Sequence, residues 1–233
     1  MSTQPPVVTI DGPTASGKGT IAQRIAGRLG FHYLDSGALY RLLAWRALRR
    51  GVAIGDESGL AGLAGSMQPT FEAGRIVLDS QDVTDAIRAE DISQAASRVA
   101  VHPAVRRALL DLQRRCRAVP GLVADGRDMG TIVFPDATLK VYLTANVAAR
   151  AERRHKQLIE KGFSTNISDL SQDLEARDRR DTERSAAPLT PAKDAYQLDS
   201  SGLTIDEVVA QILNWYERRQ SPGPVPEVPG GVC

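Results

Sequence analysis

Short apolar, β-branched runs punctuate the chain at residues 7–11 (VVTID), 31–34 (FHYL), 122–124 (LVA), 138–144 (TLKVYLT) and 196–198 (YQL). Runs that are apolar on both faces read as strands buried in a parallel sheet. Between them, apolar residues recur with a helical period at 17–29, 38–50, 85–100, 103–116, 147–161, 167–183 and 204–219. In the second of these, Leu39, Leu42, Leu43 and Ala47 share one face. Residues 51–66 are rich in glycine and alanine and show no period. Residues 70–84 (TFEAGRIVLDSQDVT) alternate, with turn residues at Ala73-Gly74 and Asp79-Ser80. That pattern predicts one or two β-hairpins in a small inserted lobe. The Pro/Gly-rich tail, 220–233, is predicted to be disordered. Strands alternating with helices indicate an α/β fold, a parallel sheet covered on both faces. Ligands of such sheets bind at the carboxyl ends of the strands.

Three strands end in polar residues at that edge: Asp11-Gly12, Asp35-Ser36 and Asp125-Gly126. The first continues as Gly12-Pro13-Thr14-Ala15-Ser16-Gly17-Lys18-Gly19-Thr20, which satisfies G-x-x-x-x-G-K. Strand before and helix after make it a phosphate-binding loop. Its glycines let backbone N–H groups converge on a phosphate, and the helix adds its positive end. Lys18 is expected to reach the β- and γ-phosphates. Thr20 stands one place beyond the usual hydroxyl position and is expected on the magnesium side, directly or through water. Asp35-Ser36 is expected to cap the next helix. Arg41, on that helix, is placed to fork onto a second phosphate. Asp125 closes a buried strand, where a carboxylate can organise Mg²⁺ and its waters. Arg127 and Asp128 follow in the same loop. Arg177, Asp181 and Arg184 are spaced i, i+4, i+7 and are expected on one helical face, with Arg180 near it. Phosphoryl transfer needs several cations on the migrating group, and a lid folding over the loop would supply them.

Composition narrows the classes. A chain of 233 residues buries one good core with an appended lobe. A formal net charge of +1 argues against a nucleic-acid-coating surface, and residues 150–184 carry basic and acidic side chains in near balance. No apolar run approaches a membrane span, and MSTQPPVV lacks the regions of a secretory signal. The expectation is a cytoplasmic monomer with no nucleic-acid or membrane partner. Cys116 and Cys233 fit a reducing compartment, and with His32, His102 and His155 scattered no metal cluster is expected. Phosphate loops also serve switches and other small-molecule kinases, but the guanine-reading N-K-x-D of GTPase switches is absent from the sequence.

The strings IDGPTASGKGT, LDSGALYR, ISQAASRVA, HPAVRRALL and ADGRDMGTIVFPDA, with the run from Arg177 through 187–189 (APL), occur in order. Together they resemble the bacterial cytidylate kinases, from residue 7 to about 219. The resemblance implies a nucleoside monophosphate kinase fold with a five-stranded parallel sheet. Its core would be 7–34, 103–146 and 190–219, its monophosphate-binding region with a β-rich insert about 35–102, and its helical lid about 147–185. It implies transfer of the γ-phosphoryl of ATP to CMP or dCMP with Mg²⁺ and no organic prosthetic group. It implies that Asp35, Ser36 and Arg41 hold CMP, and that Ser97, Arg106 and Asp128 face cytosine. Asp125 belongs to the same pocket. Arg127, Arg177 and Arg184 would grip phosphates, and Asp181 would meet the ribose hydroxyls. The sequence departs from the family's motif at Thr14, Ala15 and Ser16, all small. Kinases of the same fold acting on UMP, AMP or shikimate, and a non-catalytic nucleotide switch, are the alternatives.

Overall fold

The computed structural model describes residues 4–220 except 73, 161 and 163. In chain order the elements are β1 (Val7–Asp11), α1 (Lys18–Leu29), β2 (His32–Asp35), α2 (Ser36–Arg49), α3 (Glu57–Gly65), β3 (Thr70–Glu72), β4 (Arg75–Leu78), β5 (Gln81–Asp82), α4 (Glu90–Val99), α5 (Pro103–Arg115), β6 (Leu122–Gly126), β7 (Leu139–Thr144), α6 (Val147–Glu160), α7 (Ile167–Glu183), β8 (Tyr196–Asp199) and α8 (Ile205–Gln220). A single 3-10 turn at Ala86–Arg88 and a π-helical turn at Met129–Val133 complete the path.

Five strands form one sheet in the order β2-β6-β1-β7-β8, and every pairing is parallel. β1 is central and buried along its whole length. Val7 faces a core built with Leu39, Leu42, Leu43, Leu60, Leu109 and Phe134, while Val8 and Ile10 face Ile21, Ile25, Val208 and Ile212. That two-sided burial is why the strand is apolar on both faces rather than alternating. Truncating a side chain such as Leu42 costs about 2–5 kcal/mol.

The insert is a three-stranded antiparallel sheet, β3-β4-β5, as the alternation of 70–84 predicts. Arg46 of α2 anchors it, with Nε and Nη2 donating to Asp79 at 3.1 and 3.2 Å and Nη1 to Leu63 O at 2.9 Å. Asp79 and Ser80 turn through positive φ of 50° and 63°.

Three elements differ from the sequence expectation. α3 lies in 51–66, where glycines weaken any helical pattern. Its N-cap is Asp56, which accepts from Gly59 N at 3.0 Å, and Leu60 is fully buried. Glu57 reaches Ala104 N at 2.7 Å, so packing on α5 stabilises what propensity does not. The helix expected at 85–100 is a 3-10 turn and α4, broken at Ala89, whose φ and ψ are −61° and 149°. α7 ends at Glu183, so Arg184 is an extended cap residue rather than part of the helical face. Gln220 is the last residue of α8. The rest of the tail expected to be disordered, 221–233, lies outside the described residues, as does Cys233.

Candidate active site

The carboxyl ends of β1, β2 and β6 open into a cleft of about 920 Å³, roofed by α4, α6 and α7. Its size is that of a small-molecule site.

The phosphate loop forms one wall. A Cβ on Gly12 would lie 2.0 Å from Leu143 O, so no side chain fits where the loop crosses β7. Gly17 caps α1 at φ 88°, and Ala15 also holds a positive φ of 58°. These kinks point the loop's backbone inward. Lys18 is buried and donates from Nζ to Pro13 O at 3.0 Å. Burial and the nearby Arg127 pull its ammonium down to about 7, against the pull of Asp125. Thr14 through Thr20 line the cleft, whereas Gly12 and Pro13 lie behind it. Thr20 is exposed.

Asp125 sits at the floor. Its Oδ2 accepts from Tyr33 OH at 2.6 Å and lies 3.5 Å from the Cβ that Gly19 lacks. Burial and the neighbouring Asp35 carry its carboxyl up to about 6, although Lys18 and the tyrosine hydroxyl oppose them. Asp35 caps α2 as its sequence position suggests, accepting from Ala38 N at 3.0 Å, and its other oxygen holds Arg41 at 2.6 Å. Ser36 is buried. A Cβ on Gly126 would lie 2.5 Å from its Oγ, so Gly126 keeps that hydroxyl in place.

Opposed charges fill the far wall. Arg106 donates to Asp128 Oδ2 and to Ala100 O (3.1 Å), and its guanidinium lies over the Tyr40 ring. Arg127 donates through Nε to Asp181 Oδ2 at 2.7 Å. Arg184 reaches Ala187 O at 2.7 Å and approaches Asp181 Oδ1 at 3.9 Å. Burial pushes the Asp181 carboxyl up, but Arg127, Arg184 and Arg177 outweigh it and hold it below the usual range. Arg177 is drawn down to about 10 by burial and by Arg127. Among the described residues, Arg41 Nε, Arg177 Nε and Arg184 Nη2 are buried without a hydrogen-bond partner. A buried unpaired donor is costly. Three of them around one cleft, beside a depressed lysine, form a site whose field favours an anion.

All the sequence-predicted residues gather here except Gly12 and Pro13, which support the loop from behind. Several participants were not foreseen. Asp11 accepts from Met129 N and Gly130 N, both at 2.8 Å. Arg150 donates to Thr14 O at 3.2 Å and to Asp178 at 2.6 Å, and Arg153 to Ser16 O at 3.2 Å, so α6 grips the outer side of the phosphate loop. Two contacts tie the roof helices together: Arg180 Nε of α7 to Ser97 Oγ of α4 at 3.3 Å, and Arg154 of α6 to Glu90 of α4. The nearly balanced charge of 150–184 was the one available signal, since it cannot say which arginine meets which carboxylate.

Comparison with known proteins matches this arrangement to one family. A family model described as cytidylate kinase matches residues 8–218. A cytidylate kinase of Paraburkholderia phymatum is 59% identical over 213 residues, 91% of this chain and 93% of its own. One of Ralstonia pickettii is 60% identical over 215 residues, 92% and 93% of the two chains. A solved gluconokinase from Sinorhizobium meliloti 1021 aligns over 93% of this chain and 94% of its own, with 16% identity and a TM-score of 0.47. The phosphate loop at β1, the paired arginines across the cleft and the match from β1 to α8 thus coincide, and the chain belongs to the cytidylate kinase family.

Proposed function

We propose that the protein transfers the γ-phosphoryl of Mg-ATP to CMP or dCMP, giving ADP and CDP or dCDP. The observation that carries this reading is the convergence of Lys18, Arg127, Arg177 and Arg184, from three separate segments, on a cleft that also holds the buried Arg106–Asp128 pair. Of the loop 12–20, residues 14–20 bind the ATP phosphates, with Lys18 on the terminal ones and Gly12 and Pro13 shaping the loop from behind. Asp35, Ser36 and Arg41 hold the CMP phosphate side, and Asp181 meets the ribose.

An oxygen of the CMP phosphate attacks the γ-phosphorus in line. The bond from that phosphorus to the β-bridging oxygen breaks, and its electron pair leaves with ADP. The chain contributes positioning and charge. Each phosphate terminus carries roughly −1.5 to −2, and the four cations offset that charge as the two anions are pressed together. Closing α6 and α7 over the cleft excludes water and so suppresses hydrolysis.

Among the described residues no cluster of three metal-binding side chains exists. That suits Mg²⁺, which keeps waters and is held largely by substrate phosphates. Asp125 beside α1's first turn, with Thr20, fits as its protein contact. The ion supplies charge neutralisation on the phosphates when bound.

Asp128 selects the base. Cytosine presents an N4 amino donor, which a carboxylate accepts, whereas uracil presents an oxygen. Arg106 already holds Oδ2, so facing uracil the other Asp128 oxygen would be left unpaired against an acceptor, which costs about 1–3 kcal/mol, enough for roughly tenfold discrimination. Ser97 and Arg106 complete that pocket.

In this reading, 7–34, 103–146 and 190–219 form the core, about 35–102 bind the monophosphate and about 147–185 close as the lid. The protein works as a cytoplasmic monomer without nucleic-acid or membrane partners. The near-neutral charge supports the lack of a nucleic-acid partner, and no helix among the described residues is long and apolar enough to cross a membrane.

The test is coupled ADP release with Mg-ATP and CMP, dCMP, UMP, AMP or shikimate, beside a no-acceptor control. Fast turnover with CMP and dCMP only is expected. Fast turnover with another acceptor, or tight ATP binding without acceptor-dependent turnover, would overturn it.

A further inference from the structure

Asp11 ends the central strand immediately before the phosphate loop, yet both of its oxygens are taken by amides of the segment after β6. Oδ1 accepts from Met129 N and Oδ2 from Gly130 N, each at 2.8 Å and across 118 or 119 residues of sequence. These amides open the π-helical turn Met129–Val133, whose later N–H groups bond inward: Ile132 N and Val133 N to Asp128 O, Phe134 N to Met129 O. The first N–H groups of a helical turn have no partner within it, and a carboxylate from another strand supplies one to each.

The turn lies close against the sheet. A Cβ on Gly130 would stand 2.8 Å from Thr9 Oγ1 of β1 and 3.3 Å from Lys140 Cδ of β7. Only glycine lets this backbone reach Asp11. Asp128, at φ −147° and ψ 22°, is the residue immediately before the clamped amides. On one side of it Arg127 is sent to Asp181 of α7, and its own carboxylate is sent to Arg106 of α5.

We infer that Asp11 is the positioning residue for acceptor selection, clamping the Met129 and Gly130 amides so that Arg127 and Asp128 are aimed into the cleft from a fixed turn. The inference rests on the reading that Asp128 faces the acceptor base. Asp11 touches no substrate in it. It couples the strand that carries the donor loop to the loop that reads the acceptor.

The arrangement is built against a solvation penalty. Burial carries the Asp11 carboxyl up to about 7, the two amide bonds and Arg127 pull it back, and Asp128 adds to the rise. The two amide bonds offset part of that penalty, and a carboxyl offers two oxygens to accept them where a side-chain amide offers only one.

The experiment uses Asp11→Asn and Gly130→Ala in the full chain. Asparagine keeps the volume but turns an NH₂ toward one of the two backbone N–H groups. The alanine pushes the same amides off the sheet without touching Asp11. KM and kcat are measured for CMP and UMP, and ATP affinity is measured by calorimetry without acceptor. The expected result is a KM for CMP raised about tenfold, a CMP-over-UMP preference reduced about fivefold or more, and ATP affinity changed less than about twofold. Unchanged kinetics in both variants, or donor and acceptor affinities falling together with the CMP/UMP ratio intact, would overturn the inference. The wild-type control separates the two levels. Wild-type protein that does not prefer CMP refutes the functional reading, whereas a wild-type preference that both variants keep refutes only the role of Asp11.

Discussion

The two walls of the cleft are built by opposite means. The donor wall is one contiguous segment, residues 12–20, whose shape comes from backbone: Gly12 against Leu143, Gly17 and Ala15 at positive φ, and a single buried lysine. The acceptor wall is assembled from side chains separated by up to 150 positions, in buried pairs such as Arg106–Asp128 and Arg127–Asp181. In the proposed reading, the backbone cradle binds a triphosphate whatever its base and so fixes the chemistry. In the same reading, the lattice of paired charges distinguishes one base from another and so fixes the substrate. Asp11 lies outside both walls and ties them together, preceding the donor loop and accepting from the Met129 and Gly130 amides beside Asp128.

The comparison can be broken from either side. The largest effect is expected for Lys18→Ala, which removes the donor wall's one charge beside the phosphates. Its kcat should fall by about 10³ while the CMP/UMP ratio is kept, as steady-state assays with both acceptors would show. A changed ratio would mean the walls are not separable. Arg184→Ala follows, with kcat lower by about 10² and unchanged far-ultraviolet circular dichroism. Wild-type turnover by that folded variant would remove Arg184 from the site. Smaller is Arg154→Ala, which cuts the contact from α6 to Glu90. That pair is half exposed, so KM for CMP should rise by about twofold to fivefold at low salt and less at high salt.

The last effect sharpens the account through pH. The Asp11 carboxyl is raised from 3.8 to about 7 in the folded protein, so between those values the folded state holds a proton that the unfolded state has lost. Stability from this group therefore falls as pH rises through that window. Thermal unfolding of wild type and Asp11→Asn should show the wild type's advantage shrinking from pH 4 to pH 8. A gap that widens with pH would contradict the buried-carboxylate assignment.

How much was legible follows the same division. The donor loop was readable because its chemistry is local: glycines, a lysine, a strand before and a helix after. The parallel sheet was readable because β1, β6 and β7 are buried on both faces and carry largely apolar runs. α3 was not, because Gly59, Gly62 and Gly65 erase the helical signal and packing on α5 replaces it. Helical spacing grouped Arg177, Asp181 and Arg184 correctly but for the wrong reason, since Arg184 reaches Asp181 from beyond the helix end. Ser97, Arg106 and the base-facing role of Asp128 came from family resemblance alone, because no local pattern says that Arg106 will meet Asp128. Asp11 was missed because a strand-ending aspartate beside a glycine loop is absorbed by the motif, and its partners lie about 118 residues away.

The most direct test of the central claim is the specificity constant for CMP and for UMP in wild type and in Asp128→Ala, with ATP affinity measured alongside. The account predicts that the CMP preference falls by about tenfold or more while ATP affinity is unchanged. A preference that survives the loss of Asp128, or an ATP affinity that falls with it, would contradict the division of the cleft into a donor wall and a base-reading wall.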